Sequence, residues 1–483
     1  MLFMGIDTGT QGVRALICDE TGNVYAAQST SFARLNDSET DGRYEQDPAV
    51  WWEALYASVL SCTNQLKGTR RSAKDIRAIA IDGTSGTILP VDKNGNPLTN
   101  AIMYNDMRAK EESKSINQAA AGHEAKLGMR FNPSFALPRI LWLRRNRPDV
   151  YENAHKLIHQ TDYLVGKLCG EFGVSDYSNA LKTGYDLIDE RWPDFIEDIG
   201  IDANKLPRVG TPGMQIGTVS AVVAEQLGLS TDTALVAGCT DSYASALAAG
   251  AVHVGDWASI LGTTLVLKGV SGNIVIDPTG SSYSHKLPTG NWMVGGASNV
   301  GGRRLSEQFD AAEFESYNQK AENIAPSGVL IYPLTGKGER YPFFDPDAQE
   351  FVLGDTSNKS VLFTAVMEGV GYTERLAYEL NLRMGIPVGE VIYTSGGACK
   401  SDAWLRIRAS ILNRTLKVPS TVDAAMGMAL MAASKTYYDN IEQAATHMIS
   451  FSKTVDPVRE KVKRYDELYG EFHAACKARF TME

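Results

Sequence analysis

The chain opens on a glycine hairpin and repeats the device near its middle. Residues 2–6 form a short apolar run and residues 13–18 a second one, with Asp7, Thr8, Gly9, Thr10, Gln11 and Gly12 between them. Two such runs around a tight glycine turn predict strand, loop, strand. Residues 257–261 and 265–270 flank Gly262-Thr263-Thr264 in the same way, after what reads as a fresh start at 251–256. Glycines let several backbone N–H groups converge on one point, and such a nest favours an anion such as phosphate. Asp7 by itself would repel phosphate, so its position makes sense with a divalent metal between the two. Taken singly, an ordinary glycine-rich turn stays an alternative reading of each hairpin.

A repeat at this distance fits a chain of 483 residues, which exceeds a typical single domain and predicts two, 1–250 and 251–483. Hydrophobic residues make up 43%, enough for two real cores, and the formal net charge of −10 argues against a nucleic-acid partner. None of the six cysteines pairs with another at metal-ligand spacing, so they read as reduced, mostly buried thiols. The sequence enters its first strand without a signal segment, and no apolar run is long enough to span a bilayer. The expectation is a soluble, cytoplasmic protein with no membrane partner.

Further along, a turn at 19–23 leads into a third strand at 24–32, making a β-meander. Asp47-Pro48 supplies an N-cap and a first-turn proline, and Val50, Trp51, Ala54, Leu55, Val59 and Leu60 follow on one helical face. A strand at 76–81 runs into Asp82-Gly83-Thr84-Ser85-Gly86-Thr87. Residues 107–189 are mostly helical; Asp162, Asp176 and Ser178 there read either as the edge of a site or as caps. A strand from 235 ends in Gly238 and Asp241, before a small-residue helix at 243–249. Residues 290–302 are rich in glycine, and a long helical pattern at 361–384 stops before Gly385. A strand at 391–394 leads to Ser395-Gly396-Gly397-Ala398, which opens a helix, and residues 424–433 form another small-residue helix. The pattern is α/β with mixed sheets.

There is no P-loop, no Gly-x-Ser-x-Gly elbow and no His-Glu-x-x-His. What exists is a combination: two Gly-Thr hairpins, Asp241 after Gly238, and a Gly-Gly helix start. With Glu45-Gln46-Asp47-Pro48, Trp51-Trp52, Tyr104-Asn105-Asp106-Met107-Arg108 and Ala424-Ala425-Met426-Gly427, this set resembles the FGGY carbohydrate kinases of the actin, hexokinase and Hsp70 ATPase superfamily. The resemblance runs from about residue 4 to about residue 435. It implies two ribonuclease-H-like (actin-like ATPase) domains of related plan flanking a deep cleft, with sugar mainly on the first and ATP mainly on the second.

The same resemblance implies roles. Asp241 matches the general base that takes the proton of the attacking sugar hydroxyl; its bland alternative is an N-cap. Asp7 matches the acid that holds Mg2+, with a turn acid as its alternative. Thr10, Gln11 and Gly12 would approach the transferred phosphate, and Gly262, Thr263 and Thr264 the β- and γ-phosphates. Gly301, Gly396, Gly397, Ala398 and Asp402 would border the nucleotide. The loop after residue 81 departs from the Gln and bulky or His pattern of many members and looks more like the ribulose-kinase type. Thr84, Ser85 and Asp106, with Asp241, are the candidates for hydroxyl recognition, against the reading of a solvated turn. The implied activity is ATP- and Mg2+-dependent phosphorylation of a ketopentose such as ribulose or xylulose at its terminal hydroxyl. Another polyol, an aldonate or a larger sugar stays open as acceptor, as does a conformational ATPase of the actin or Hsp70 kind. A non-catalytic sugar sensor is a third reading, against which both Asp7 and Asp241 speak. A homodimer is compatible with all of these.

Overall fold

The structure, a computed structural model, describes residues 1–33, 42–277 and 280–482. The chain divides into two compact units. The first comprises Met1–Ala248, His285–Asn291 and Asp423–Ile449; the second comprises Ala249–Ser284, Trp292–Val422 and Ser450–Glu483.

The first unit carries a six-stranded mixed sheet in the order Gln215–Thr218, Ala234–Thr240, Ile76–Gly83, Leu2–Thr8, Gly12–Asp19, Val24–Ser31. The three central strands are parallel to one another, and the outer ones join antiparallel. Leu2–Thr8 and Ala234–Thr240 are buried at every position, as expected of strands covered on both faces. Val24–Ser31, at the edge, alternates toward solvent. The turn into it is held by Asp19, whose carboxylate accepts from the backbone N–H groups of Thr21 and Asn23. The helix Pro48–Gln65 begins as its sequence demands, with Pro48 in the first turn and the Asp47 side chain accepting from Ala49 N.

Sequence order and spatial order part at Asp423. The small-residue helix Ala424–Ala433 lies against this first sheet, and glycines permit the approach. A Cβ on Gly5 would fall 1.7 Å from the Ala425 carbonyl oxygen, and one on Gly427 2.1 Å from that of Ala244.

The second unit repeats the plan. Six consecutive strands of its main sheet run Trp292–Ser298, Leu265–Ser271, Trp257–Leu261, Val391–Ser395, Thr415–Pro419, Phe451–Val455. Trp257–Leu261, Val391–Ser395 and Thr415–Pro419 are parallel, with antiparallel strands outside them. The helix Lys359–Arg383 runs through its core and carries two buried acids. Glu374 pairs with Arg408, both fully buried, and Arg408 also donates to Thr394 and Ser259, tying helix to strands. Glu368 accepts from Ser327 and from the Tyr465 hydroxyl, fastening the helix Arg459–Lys477.

Burial raises the Glu368 carboxyl to about 7, and the hydrogen bonds it accepts only partly oppose this. A carboxyl raised on folding binds its proton more tightly in the native state than in the unfolded chain. Its contribution therefore falls as pH climbs from its ordinary value of 4.5 through about 7. Glu368→Gln should flatten the pH dependence of the melting temperature across that window. An unchanged slope in melts taken between those limits would place the titration elsewhere.

Candidate active site

In the first unit, acids converge at the carboxyl ends of the parallel strands. Asp7 stands opposite Asp82 in register, Cys239 stands opposite Asp82 on its other side, and Asp241 follows two residues later as the first residue of the helix Asp241–Ala249. Asp82 is fully buried, and no donor reaches either of its oxygens. Burial, then the charges of Asp7, Asp241 and Asp423, holds its carboxyl well above the ordinary range. The protonated form of Asp82 is thereby favoured beside Asp7. Asp7 accepts from Arg14 Nη1 at 2.9 Å, and Arg14 Nε lies 4.0 Å from Asp423. Asp423 caps the helix Ala424–Ala433.

The loop between Thr8 and Gly12 closes with Gly9 N donating to Gly12 O. Gln46 holds it from behind: its Nε2 donates to Thr10 O, and its Oε1 accepts from Trp51 Nε1. That bridge gives the Glu45–Pro48 and Trp51 stretches a physical reason. Thr10 is half-buried and Gln11 exposed. Among the described residues no group of three or more His, Cys, Asp or Glu side chains forms a metal cage. A single carboxylate fits Mg2+, which keeps several waters and takes phosphate oxygens as its other ligands.

Of the hydroxyl-recognition candidates, Thr84 is buried, with its N–H and Oγ1 both directed to Gln160 Oε1 and its Oγ1 also meeting Thr87 Oγ1. The Asp106 carboxylate accepts from Tyr44 N and from Arg108 N, Nε and Nη2, so its capacity is taken up by Arg108 of its own loop and by the distant Tyr44. Arg108 in turn pairs with Glu45 and stacks on Trp142. Ser85 Oγ differs: it is buried and without a partner. Thr8 Oγ1, Asn105 Oδ1 and Thr240 Oγ1 share that condition. Asp176 and Ser178 build the floor: Ser178 Oγ donates to Asp176 and accepts from Thr240 N, just before Asp241. Asp162 caps its own helix start and holds His159.

In the second unit the chemistry is carried by backbone. The turn at Gly262-Thr263-Thr264 is met by the stretch at Gly301, where a Cβ would lie 2.4 Å from Thr263 O. Gly302 N donates to Gly262 O, and Arg303 N to Thr263 O. Gly396 adopts φ +95°, and a Cβ there would lie 2.4 Å from Leu261 O. Gly262 and Gly397, by contrast, have nothing within 4 Å of a Cβ position. They border a cavity of about 650 Å³, together with Thr263 and Ala398 and the apolar side chains of Phe314, Phe363 and Trp404. A cavity of this volume accommodates a nucleotide. Thr264, Gly301 and Gly396 shape its wall from behind, and Asp402 opens the helix Asp402–Leu412, paired with Lys453 at 2.6 Å.

The sequence reading assigned no role to Arg14, Asp423, Gln160, Lys182 or Arg139. The one local signal among them is Asp423, an N-cap residue ahead of a small-residue helix.

Comparison with known proteins gives these features a common setting. The N-terminal domain model of the FGGY family of carbohydrate kinases matches residues 2–248, and the C-terminal domain model matches residues 250–436. A xylulose kinase of Staphylococcus xylosus is 24% identical over 481 residues, covering 96% of this chain and 98% of the relative. A gluconokinase of Bacillus subtilis (strain 168) is 25% identical over 491 residues, covering 96% and 93%. The crystal structure of a xylulose kinase from Brucella ovis superposes with a TM-score of 0.82 at 25% identity, covering 99% of each chain. The chain belongs to the FGGY family of carbohydrate kinases and is an ATP-dependent sugar kinase, a phosphotransferase with an alcohol acceptor, built on two actin-like ATPase domains.

Proposed function

We propose that the acceptor is a ketopentose, phosphorylated at its terminal hydroxyl, with Asp241 as the general base. The observation that carries this is four of the buried polar atoms without partners on the first unit, those beside the acid-bearing strand ends and the two loops after them: Thr8 Oγ1, Ser85 Oγ, Asn105 Oδ1 and Thr240 Oγ1. Buried polar atoms are ordinarily hydrogen-bonded, and a compact molecule with several hydroxyls would satisfy these. The nearby guanidinium of Arg108 is already neutralised by Asp106 and Glu45, so it has little to offer an acidic sugar. The xylulose kinases among the relatives support the same reading.

In this reading Asp241 accepts the proton as the hydroxyl attacks, kept ionised by the amino end of its helix. Asp7 would hold Mg2+, which when bound supplies neutralisation of phosphate charge. Thr10, Gln11 and Gly12 line the transferred phosphoryl group. Gly262, Thr263 and Thr264 bind the remaining phosphates, Gly397 and Ala398 border the nucleoside, and Gly301, Gly396 and Asp402 support them. Phosphoryl transfer needs chiefly such positioning and charge stabilisation.

A second reading, an aldonate acceptor, rests on Lys182. Its ammonium lies over the Phe135 ring at 5.3 Å, and its stem passes 3.5 Å from a Cβ position on Gly86. The gluconokinase relative points the same way. Assay of a panel of ketopentoses, polyols and aldonates separates the two. The expected result is highest kcat/KM for a ketopentose, with Lys182→Met changing it little; preference for an aldonate, lost in Lys182→Met, would establish the second reading instead.

Asp241→Asn should lower kcat by about 100- to 10,000-fold with ATP affinity little changed. Asp7→Asn should raise the Mg2+ concentration needed for half-maximal activity. Rescue of Asp241→Asn, and not of Asp7→Asn, by excess Mg2+ would mean the two roles are exchanged. Gly397→Val fills the open side of the cavity wall and should weaken ATP binding by calorimetry while sugar binding persists. Equal loss of both would point to a misfolded protein.

A further inference from the structure

Arg139 lies in the helix Ala136–Asn146, is fully buried and, among the described residues, has no carboxylate paired to its guanidinium. Its hydrogen bonds go to backbone. Nη1 donates to Gly86 O at 2.8 Å and Ser134 O at 3.2 Å; Nη2 donates to Tyr104 O and, at 3.0 Å, to Asp106 O. Nε is buried without a partner. A desolvated cation is costly unless its surroundings compensate, and here four carbonyl dipoles receive charge-assisted bonds. Burial lowers its pKa to about 9, which still leaves it charged at neutral pH.

The four carbonyls belong to three separate stretches. Gly86 follows Ser85, Tyr104 and Asp106 bracket Asn105, and Ser134 precedes the helix that carries Arg139 itself. Ser85 and Asn105 are two of the residues whose buried polar atoms lack partners. Gly86 has φ +94°, and a Cβ there would lie 2.7 Å from Ser134 O, so glycine is what lets this loop reach the guanidinium. One planar fork thus spaces two loops whose side chains face the same need. Lysine, with a single point of charge, cannot span both pairs of carbonyls.

We infer that Arg139 is a positioning residue: it fixes the 84–87 and 104–108 loops relative to each other and thereby sets the affinity and selectivity for the sugar. This rests on the reading of those loops as the sugar site. Displacing recognition groups by a fraction of an ångström to an ångström weakens productive binding by about 10- to 100-fold. The effect should fall on the sugar, because the residues assigned to ATP, Thr10, Gln11 and Gly12 in the first unit and those of the second, are not among the partners of Arg139.

The test compares Arg139→Lys, Arg139→Met and Ser85→Ala by steady-state kinetics on the full chain, with thermal melts to confirm folding. Arg139→Met should raise the sugar KM by about 10- to 100-fold, leave the ATP KM within about twofold and narrow the kcat/KM ratio between epimeric sugars. Arg139→Lys should fall between it and wild type, and carries the decision if the Met variant does not fold. A raised sugar KM in Ser85→Ala with an unchanged one in Arg139→Lys would overturn the inference alone. Unchanged sugar KM in both Ser85→Ala and the Arg139 variants, in an enzyme that still phosphorylates sugar, would overturn the site reading beneath it. Sugar and ATP KM rising together in Arg139→Lys would reduce Arg139 to a general structural role.

Discussion

The active half of the first unit depends on the register of three parallel strands. Because Leu2–Thr8, Ile76–Gly83 and Ala234–Thr240 end level with one another, Asp7, Asp82 and Asp241 arrive at one edge. Ligands of open α/β sheets bind at this carboxyl edge, and here the edge would be intolerably negative were all the acids ionised. Two devices relieve it. Burial and its neighbours raise the Asp82 carboxyl well above its ordinary value, and Arg14, paired across the antiparallel hairpin with Asp7, places a cation beside it. Asp7 is thereby held by Arg14 at 2.9 Å.

The second unit uses the same strand plan with no acids at the corresponding ends. Leu261 runs into Gly262 and Ser395 into Gly396, so backbone replaces side chain at the strand termini. Backbone N–H groups suit phosphate, which carries charge on every face and demands little stereochemical discrimination. The close fit depends on the absence of Cβ atoms at Gly301 and Gly396. The frame behind them is rigid in a different way: the Arg408 guanidinium joins Glu374 of the long helix to Thr394 and Ser259 of two adjacent strands. Removing either member of such a buried pair leaves an uncompensated charge, which typically costs about 3–5 kcal/mol.

Local features were legible in the sequence because local chemistry creates them. The two glycine hairpins, the Asp47-Pro48 helix start and the Gly-Gly turn each follow from a few adjacent residues, and the structure has all of them. Contacts between distant residues were not legible. Nothing around residue 424 announces that its helix lies on the first sheet; the only hints are small residues at Gly5 and Gly427, which a sequence offers in many places without such a contact. Arg139 reads as one of several arginines in a helical stretch, since its four partners are carbonyls and carbonyls leave no mark on sequence. Thr84 looked like an available hydroxyl, but Gln160, 76 residues away, takes it up.

The charge of this edge also bears on which acceptor it suits. A neutral ketopentose approaches Asp7, Asp241 and Asp423 without electrostatic cost. An aldonate brings a carboxylate, and at about 8 Å from one unneutralised acid the repulsion is on the order of 2 kcal/mol at an effective dielectric constant of 20. Arg108 is spent on Asp106 and Glu45, so it offers little relief. Lys182, beside Gly86 and over the Phe135 ring, is the cation on which the aldonate reading rests. In the proposed reading the acid cluster would thus disfavour a carboxylate near the attacked hydroxyl, a cost that a neutral sugar avoids.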